Sequence, residues 1–391
     1  MVVASAACLA ACSGSGSTTA TTAKAPPPKT TTSTTSTSTT GAAPASTSTT
    51  TTQPLPNLTL VVEPADQYGS VYQMIRDARH SLDMTMYELA DPQIVTLLTA
   101  ADHRGVAVRV LLDYAGSGAS VNRDAYNQLS AAGVPVRWAP NSVLFHQKTL
   151  TADKLVSAIM TGNLTASSYP TTRDVVVFDR SPTAVSSIEQ VFMRDWDGDG
   201  GSTSRVPTVA GLVWSPGART TLVGLIDSAH TTLAVENEEM AAPSIISALK
   251  AASKRGVRVT VTMTYSPTWT AAWTRLTRAG VEVATYPDTP SALYIHAKVI
   301  VVDDFTAFVG SQNFSNASLG YNRELGLITS DPAVVGPMSQ TLAADFAGGT
   351  RFTAKLPPAT SSTRPTTRPT TRPGTTSTTG TTSTTSTTKV T

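Results

Sequence analysis

"YIHAKVIVVDD", residues 294–304, sets a histidine, a lysine and two aspartates into a run that otherwise reads as the middle of a buried sheet. The same pattern occurs earlier, where "FHQKTLTAD" at 145–153 matches "IHAKVIVVD" at 295–303 with histidine on histidine and lysine on lysine. Three further blocks keep the register. "ARHSL" at 78–82 returns as "AHTTL" at 229–233, "HRGVAVRVLL" at 103–112 as "KRGVRVTVTM" at 254–263, and "AAGVPV" at 131–136 as "RAGVEV" at 278–283. Offsets that stay between 147 and 151 residues over four blocks make the central chain two copies of one unit.

Each copy alternates strand and helix. "SLDMTMYEL" reads as a strand; Asp91 and Pro92 then supply an N-cap and a first-turn proline for a helix that Gly105 ends, before the β-branched strand "VAVRVLLD". The second copy repeats this with Pro243, "SIISALKAASKR", Gly256 and "VRVTVTM". Strand, helix and strand in that order predict parallel pairing through a right-handed crossover. The expected fold is α/β: two homologous halves, 56–205 and 206–352, with mostly parallel sheets packed about a pseudo-two-fold axis and a cleft between them.

The flanks use a different alphabet. Residues 13–55 are rich in Thr, Ser, Ala, Pro and Gly, and 353–391 repeat "TTRPTTRPTTRP", so both are expected to be disordered spacers with too little apolar surface to offset chain entropy. The chain has 29 basic and 27 acidic residues; eight basic ones lie in the tails or at their edge, leaving 21 against all 27 acidic ones and a core of about −6. That balance argues against a partner held by phosphate neutralisation along a long nucleic acid. Cys8 and Cys12 are the only cysteines, which excludes thiol chemistry and disulfides from the folded region. "LAAC" at 9–12, after a short small-residue apolar start, is similar to a bacterial lipobox, so residues 1–12 are expected to be a signal segment and Cys12 a lipidation site on a secreted, cell-surface lipoprotein. No run reaches the ~18 apolar residues of a membrane helix.

His146 and Lys148, like His296 and Lys298, are two apart and leave one face of a strand, whereas Asp153 and Asp303, seven beyond each histidine, face elsewhere. Asn163 and Asn313 follow ten residues after each aspartate, and Asp174 and Glu324 follow each arginine in Arg173-Asp174 and Arg323-Glu324. Two buried strands do not each keep a lysine and a histidine without a task, because desolvating them is costly. Lysine supplies positive charge and asparagine neutral donors, a set that cradles a tetrahedral anion such as a phosphodiester. One imidazole can attack phosphorus while the other protonates the leaving oxygen, with Asp174 and Glu324 holding the ring tautomers.

HxKxxxxD twice, followed by "GSQN" at 310–313 and with "FMRDW" at 192–196 closing the first copy, resembles the phospholipase D superfamily over about 60–350. The resemblance implies catalysis through a covalent phosphohistidine without metal or other cofactor, in a monomer, since one chain holds both motifs. Carried over by position, His146 is the nucleophile and His296 the acid. Lys148, Lys298, Asn163, Asn313, Ser311 and Thr161 bind the phosphate, and Asp153 and Asp303 complete the catalytic motifs in a structural role. The first copy departs from the second at Met160-Thr161, opposite Gly310-Ser311, and at "PTTRD", 170–174, opposite "GYNRE", 320–324. The expected partner is a phospholipid, whose headgroup phosphodiester is hydrolysed. The alternatives are a nuclease on DNA or RNA, a phosphatidyltransferase like cardiolipin synthases, or an inactive anion-binding module.

Two other features are set aside. "DWDGDGG" at 195–201 has the rhythm of a calcium loop, but position twelve is Val206 rather than a bidentate glutamate, so an interdomain turn is expected. His80 and His230 lack lysine and asparagine companions and are expected to be capping or surface residues.

Overall fold

The computed structural model describes residues 57–116, 118–198, 209 and 211–354. The tails, the lipobox with Cys12, most of the acidic loop after Trp196 and the boundary at 205/206 lie outside these residues. The first half runs β1 (Leu58–Val62), α1 (Gly69–Asp77), β2 (Ser81–Met86), α2 (Pro92–His103), β3 (Ala107–Leu112), α3 (Gly118–Val121), α4 (Arg123–Ala131), β4 (Val136–Trp138), β5 (Lys148–Ala152), β6 (Val156–Met160), β7 (Thr172–Arg173), β8 (Val175–Asp179) and α5 (Pro182–Trp196). The second runs β9 (Leu212–Ser215), α6 (Ala218–Asp227), β10 (Thr232–Glu236), α7 (Pro243–Lys254), β11 (Arg258–Thr264), α8 (Thr270–Thr277), β12 (Glu282–Tyr286), β13 (Tyr294–Ile295), β14 (Val299–Val302), β15 (Thr306–Gly310), α9 (Asn316–Gly320), β16 (Glu324–Thr329), α10 (Pro332–Gly348) and β17 (Thr350–Arg351).

Local chemistry sets these boundaries. Asp91 Oδ1 accepts the N–H groups of Gln93 at 2.8 Å and Ile94 at 3.4 Å, and Pro92 opens α2 where no amide donor is needed. After α2 the chain turns at Gly105, φ 89°, and after α7 at Gly256, φ 94°, a backbone region that only glycine enters without a Cβ penalty.

The two sheets have one plan. Their strand orders are β1-β8-β6-β5-β2-β3-β4 and β9-β16-β15-β14-β10-β11-β12, the second extended by β17 at its edge. The strand–helix–strand units pair in parallel as the sequence predicts: β2 with β3, β3 with β4, β10 with β11 and β11 with β12. The expectation of mostly parallel pairing does not extend to the rest of each sheet, where β5, β6 and β8, and β14, β15, β16 and β9, pair antiparallel. For β5 with β6 and β14 with β15 the reason is local. Asp153-Lys154 and Asp303-Asp304 all have φ between 51° and 55°, the backbone of a tight hairpin turn, and a hairpin returns its strand antiparallel.

One apolar core fills each half, around Leu82, Ile94 and Leu98 in the first and Leu233, Ile245 and Trp273 in the second. A third is shared: Ile159, Val177 and Ile188 of the first half pack with Val299, Val309, Leu325 and Met338 of the second. Two ion pairs, one half-buried and one buried, cross the same boundary in mirror fashion. Arg173 Nε meets Asp345 Oδ2 of α10 at 2.6 Å, and Arg323 Nη2 meets Asp195 Oδ1 of α5 at 3.0 Å. Backbone pairs add to them, Tyr294–Ile295 with Thr172–Arg173 and Phe145 with Arg323. The halves are thereby related by a pseudo-two-fold, with a cleft at the carboxyl ends of β2 and β10. Among the described residues no helix is long and apolar enough to cross a membrane.

Candidate active site

Each motif histidine stands just before a fully buried strand, β5 packing into the first half's own core through Leu150 and Ala152, and β14 into the shared core through Val299 and Val301. Asp113, beyond the end of β3, accepts the N–H of Phe145 at 2.6 Å, and Thr264 Oγ1, at the end of β11, accepts that of Ile295 at 2.7 Å. These matched bonds fix the chain one residue before each histidine. Burial pushes the Asp113 carboxyl up to about 7, against the pull of the Phe145 amide. Neither residue was singled out in the sequence; their signal is a shared place, 151 residues apart, at the end of a parallel strand.

Both imidazoles are oriented by the opposite half. His146 Nδ1 lies 2.8 Å from Glu324 Oε2 and 3.1 Å from the Ser311 carbonyl, and His296 Nδ1 lies 2.9 Å from Asp174 Oδ1. The arginine–acid dipeptides are therefore double crossings. Arg173 and Arg323 bind the other half's last helix while their neighbours, Asp174 and Glu324, bind the other half's histidine. Burial alone would raise both carboxyls, but the histidine and lysine beside each hold them below the usual carboxylate range. With Nδ1 committed to a carboxylate, the Nε2 atom of each ring is the one available for chemistry.

Both lysines are fully buried in the site, Lys148 being 1% and Lys298 0% exposed. Lys148 Nζ donates to the His146 carbonyl at 2.6 Å and stands 4.8 Å over the Tyr87 ring. Lys298 Nζ donates to the His296 carbonyl at 2.5 Å and lies 3.0 Å from His296 Nε2. Burial pushes the Lys148 ammonium down to about 7, Lys298 adding to the shift and Glu324 opposing it. Burial likewise lowers His146, with Glu324 pulling the other way.

The asparagines also reach the cleft. Asn163 Nδ2 donates to Glu88 Oε2 at 2.9 Å; Asn313 Nδ2 sits 3.3 Å from both Glu238 Oε2 and Glu239 Oε1. Glu88, Glu238 and Glu239 are absent from the sequence prediction. All three follow β2 or β10 directly, and the register pairs Glu88 with Glu239 and Tyr87 with Glu238. A charge opposite an aromatic in otherwise matched copies was the signal available.

Four assigned residues lie outside the cleft. Asp153 accepts the backbone N–H groups of Arg79, His80 and Ser81, and Asp303 those of His230, Thr231 and Thr232. Each ties a hairpin turn to the strand entering its own half, a structural placement for the motif aspartate. His80 and His230 are exposed there, and donate only backbone amides. Thr161 and Ser311, expected to bind phosphate, are fully buried and serve the frame instead. Thr161 Oγ1 donates to Asp174 Oδ1 at 2.7 Å, and Ser311 Oγ bonds the backbone of Leu325. Met160 leaves the backbone path intact, because β6 and β15 end at the same register and Thr161 N and Ser311 N bond Val175 O and Leu325 O alike. At Gly310 a Cβ would fall 2.6 Å from Gly326 Cα, so glycine there reflects a close strand approach that Met160, opposite Val176, does not face.

A family model described as "Cardiolipin synthase, PLD-like domain" matches residues 71–196 and 222–346, one stretch in each half. Cardiolipin synthase A of Pseudomonas aeruginosa is 32% identical over 139 residues, covering 34% of this chain and 28% of that protein. Cardiolipin synthase B of Escherichia coli K12 is 26% identical over 323 residues, covering 70% of this chain and 77% of that protein. The chain thus spans under a third of the first relative and about three quarters of the second. The crystal structure of phosphatidylserine synthase from Haemophilus influenzae Rd KW20 superposes with a TM-score of 0.57 at 12% identity, over 75% of this chain and 86% of that one, a likeness of fold. With each matched stretch containing one of the paired histidines and the two together exceeding half of the chain, the protein belongs to the phospholipase D superfamily, in the family of cardiolipin synthase PLD-like domains.

Proposed function

We propose that the protein cleaves the phosphodiester of a phospholipid headgroup through a phosphohistidine on His146 and passes the phosphatidyl group to water or an alcohol. The observation that carries this reading is the pair of imidazoles, each held at Nδ1 by a carboxylate of the other half with Nε2 left for the cleft. His146 is the nucleophile because burial favours its neutral form. Its Nε2 lone pair forms the N–P bond as the P–O bond to the headgroup breaks, and His296 Nε2 gives its proton to the departing oxygen. In the second step the acceptor hydroxyl returns a proton to His296, its oxygen bonds to phosphorus, and the N–P bond breaks. Lys148, Lys298, Asn163 and Asn313 hold the phosphate charge as it redistributes.

A phospholipid is favoured over nucleic acid by the names of the relatives and by the acidic balance of the core. Phosphoenzyme trapping tests the chemistry. With a diester whose leaving group is p-nitrophenol, which needs no proton from the enzyme, His296→Ala should accumulate acid-labile phosphohistidine and His146→Ala none. The reverse pattern would exchange the two roles, and no phosphoenzyme in either would refute the mechanism. Phosphatidylglycerol vesicles and a single-stranded oligonucleotide, each with EDTA present, separate the substrates: release of headgroup or formation of cardiolipin supports the lipid reading, and cleavage of the oligonucleotide alone overturns it.

A further inference from the structure

The halves differ in charge at one matched position beside the histidines, Tyr87 in the first and Glu238 in the second. In the first, Tyr87 packs edge-on against His146, ring centroids 4.7 Å apart, and Lys148 lies over its face. In the second, the matching residue is Glu238, and its Oε2 gathers the functional set: Lys298 Nζ at 3.2 Å, His296 Nε2 at 3.3 Å and Asn313 Nδ2 at 3.3 Å. Its Oε1 accepts the Tyr294 hydroxyl at 3.2 Å. A histidine, a lysine and an asparagine converging on one anionic oxygen is the arrangement the proposed function needs around a phosphate oxygen. Here a carboxylate of the chain itself supplies that oxygen.

We propose that Glu238 is a resident anion of the phosphate seat, filling the place of one phosphate oxygen in the substrate-free enzyme and leaving when the diester enters. This deepens the reading above and rests on it. Burial opposes the ionisation of Glu238, but His296 and Lys298 beside it outweigh that and hold its carboxyl below the usual carboxylate range. Carboxylate and phosphate are both acceptors of charge-assisted bonds and repel each other in a partly dry cleft, so they do not share these donors. Lys298 cannot yield, since its side chain is 0% exposed, whereas that of Glu238 is 28% exposed and has solvent to move into. Glu239 shares Asn313 Nδ2 with it, and burial together with the charge of Glu238 raises the Glu239 carboxyl above its ordinary range, so the two acids crowd one donor.

The resident carboxylate is a specificity device. Every anion must displace it, and a small one such as inorganic phosphate has only the seat itself to gain. A diester with a lipid body draws binding energy from elsewhere and overcomes the competition. The first half has no such competitor at the matching place, because Tyr87 offers a ring to Lys148 rather than an anion.

Calorimetric titration of the full chain with inorganic phosphate tests this without turnover, alongside KM and kcat on phospholipid vesicles. Glu238→Gln keeps the shape and removes the charge; Glu238→Tyr installs the first half's residue and serves if the glutamine variant folds poorly. Phosphate should bind either variant about tenfold more tightly than the wild-type chain, and KM should fall more than kcat changes. Unchanged or weaker phosphate binding in a folded variant would overturn the proposal, as would a fall in kcat at constant KM, which would mark Glu238 as part of the proton-transfer machinery. Tighter phosphate binding in a chain that cleaves no phospholipid would sustain the resident anion and remove the lipid reading instead.

Discussion

Glu324 Oε2 lies 2.8 Å from His146 Nδ1, so the carboxylate that orients the first half's histidine belongs to the second half. Asp174 repays the relation at His296. Neither half holds a complete histidine–carboxylate unit, which gives the duplication a functional reason to stay packed. Replacing Glu324 with Gln leaves the shape but lets the ring adopt the wrong tautomer and removes the charge that favours the imidazolium. Turnover should fall about 10²–10⁴-fold with the circular dichroism spectrum unchanged. Steady-state kinetics of Glu324→Gln and Asp174→Asn check it, and a less than tenfold effect in both would deny the carboxylates an orienting role.

The arginines beside those carboxylates set their position. Arg323 and Asp195 are 3% and 2% exposed, and the Nε and Nη1 atoms of Arg323 have no hydrogen-bond partner among the described residues. Removing Asp195 therefore strands a guanidinium. Asp195→Ala should cost about 3–5 kcal/mol in urea unfolding, well above a surface substitution. Because Arg323 N also bonds the Leu144 carbonyl, next to the histidine strand, activity should fall as well. A stability loss below about 1 kcal/mol would show that the crossing pair is dispensable.

The duplication was legible because two copies in register reveal what one strand hides: His146 and Lys148 would pass for awkward core residues without His296 and Lys298. The fold class followed from capped helices between β-branched runs, and the paired carboxylates were found by position. Which carboxylate serves which histidine was not legible, because the crossing depends on how the halves dock rather than on either copy. Thr161 and Ser311 were misread for the same kind of reason, since a hydroxyl beside an asparagine looks like a phosphate ligand until its partner, Asp174 or the Leu325 backbone, is seen. Glu238 escaped because the comparison sought identities between the copies, and its meaning lies in a difference.

The motif aspartates give a clean separation of stability from chemistry. Asp303 accepts three backbone amides and the Thr231 hydroxyl; burial pushes its carboxyl up, and these bonds together outweigh it and hold the carboxyl below the usual range. A depressed carboxylate contributes stability above its unfolded value near pH 4 that is lost as pH falls through its folded value. Asp303→Asn should thus lower the unfolding free energy by about 1–2 kcal/mol at neutral pH, with kcat and KM retained, and should lose part of the wild-type decline below about pH 4. Urea titrations at pH 7 and pH 3 measure both effects. A collapse of kcat in a folded variant would return Asp303 to the catalytic set.

Lys148 couples stability and function in opposite directions. Its ammonium is pushed down to about 7 by burial, whereas in the unfolded chain it titrates near about 10.4. Between those values the unfolded chain binds more protons, so this lysine makes stability rise with pH from about 7 to about 10; below about 7 its desolvation penalty is constant, because both states are charged. The phosphate needs the charged form, so KM should climb as pH rises through about 7, less steeply than the free-enzyme value suggests because bound phosphate itself favours the ammonium. Lys148→Met fills similar space without charge. That variant should be more stable than the wild type, most visibly at pH 6, with a pH-independent, elevated KM. If Lys148→Met were instead less stable at pH 6, the lysine would be a net structural contributor, and its retention would need no explanation from catalysis.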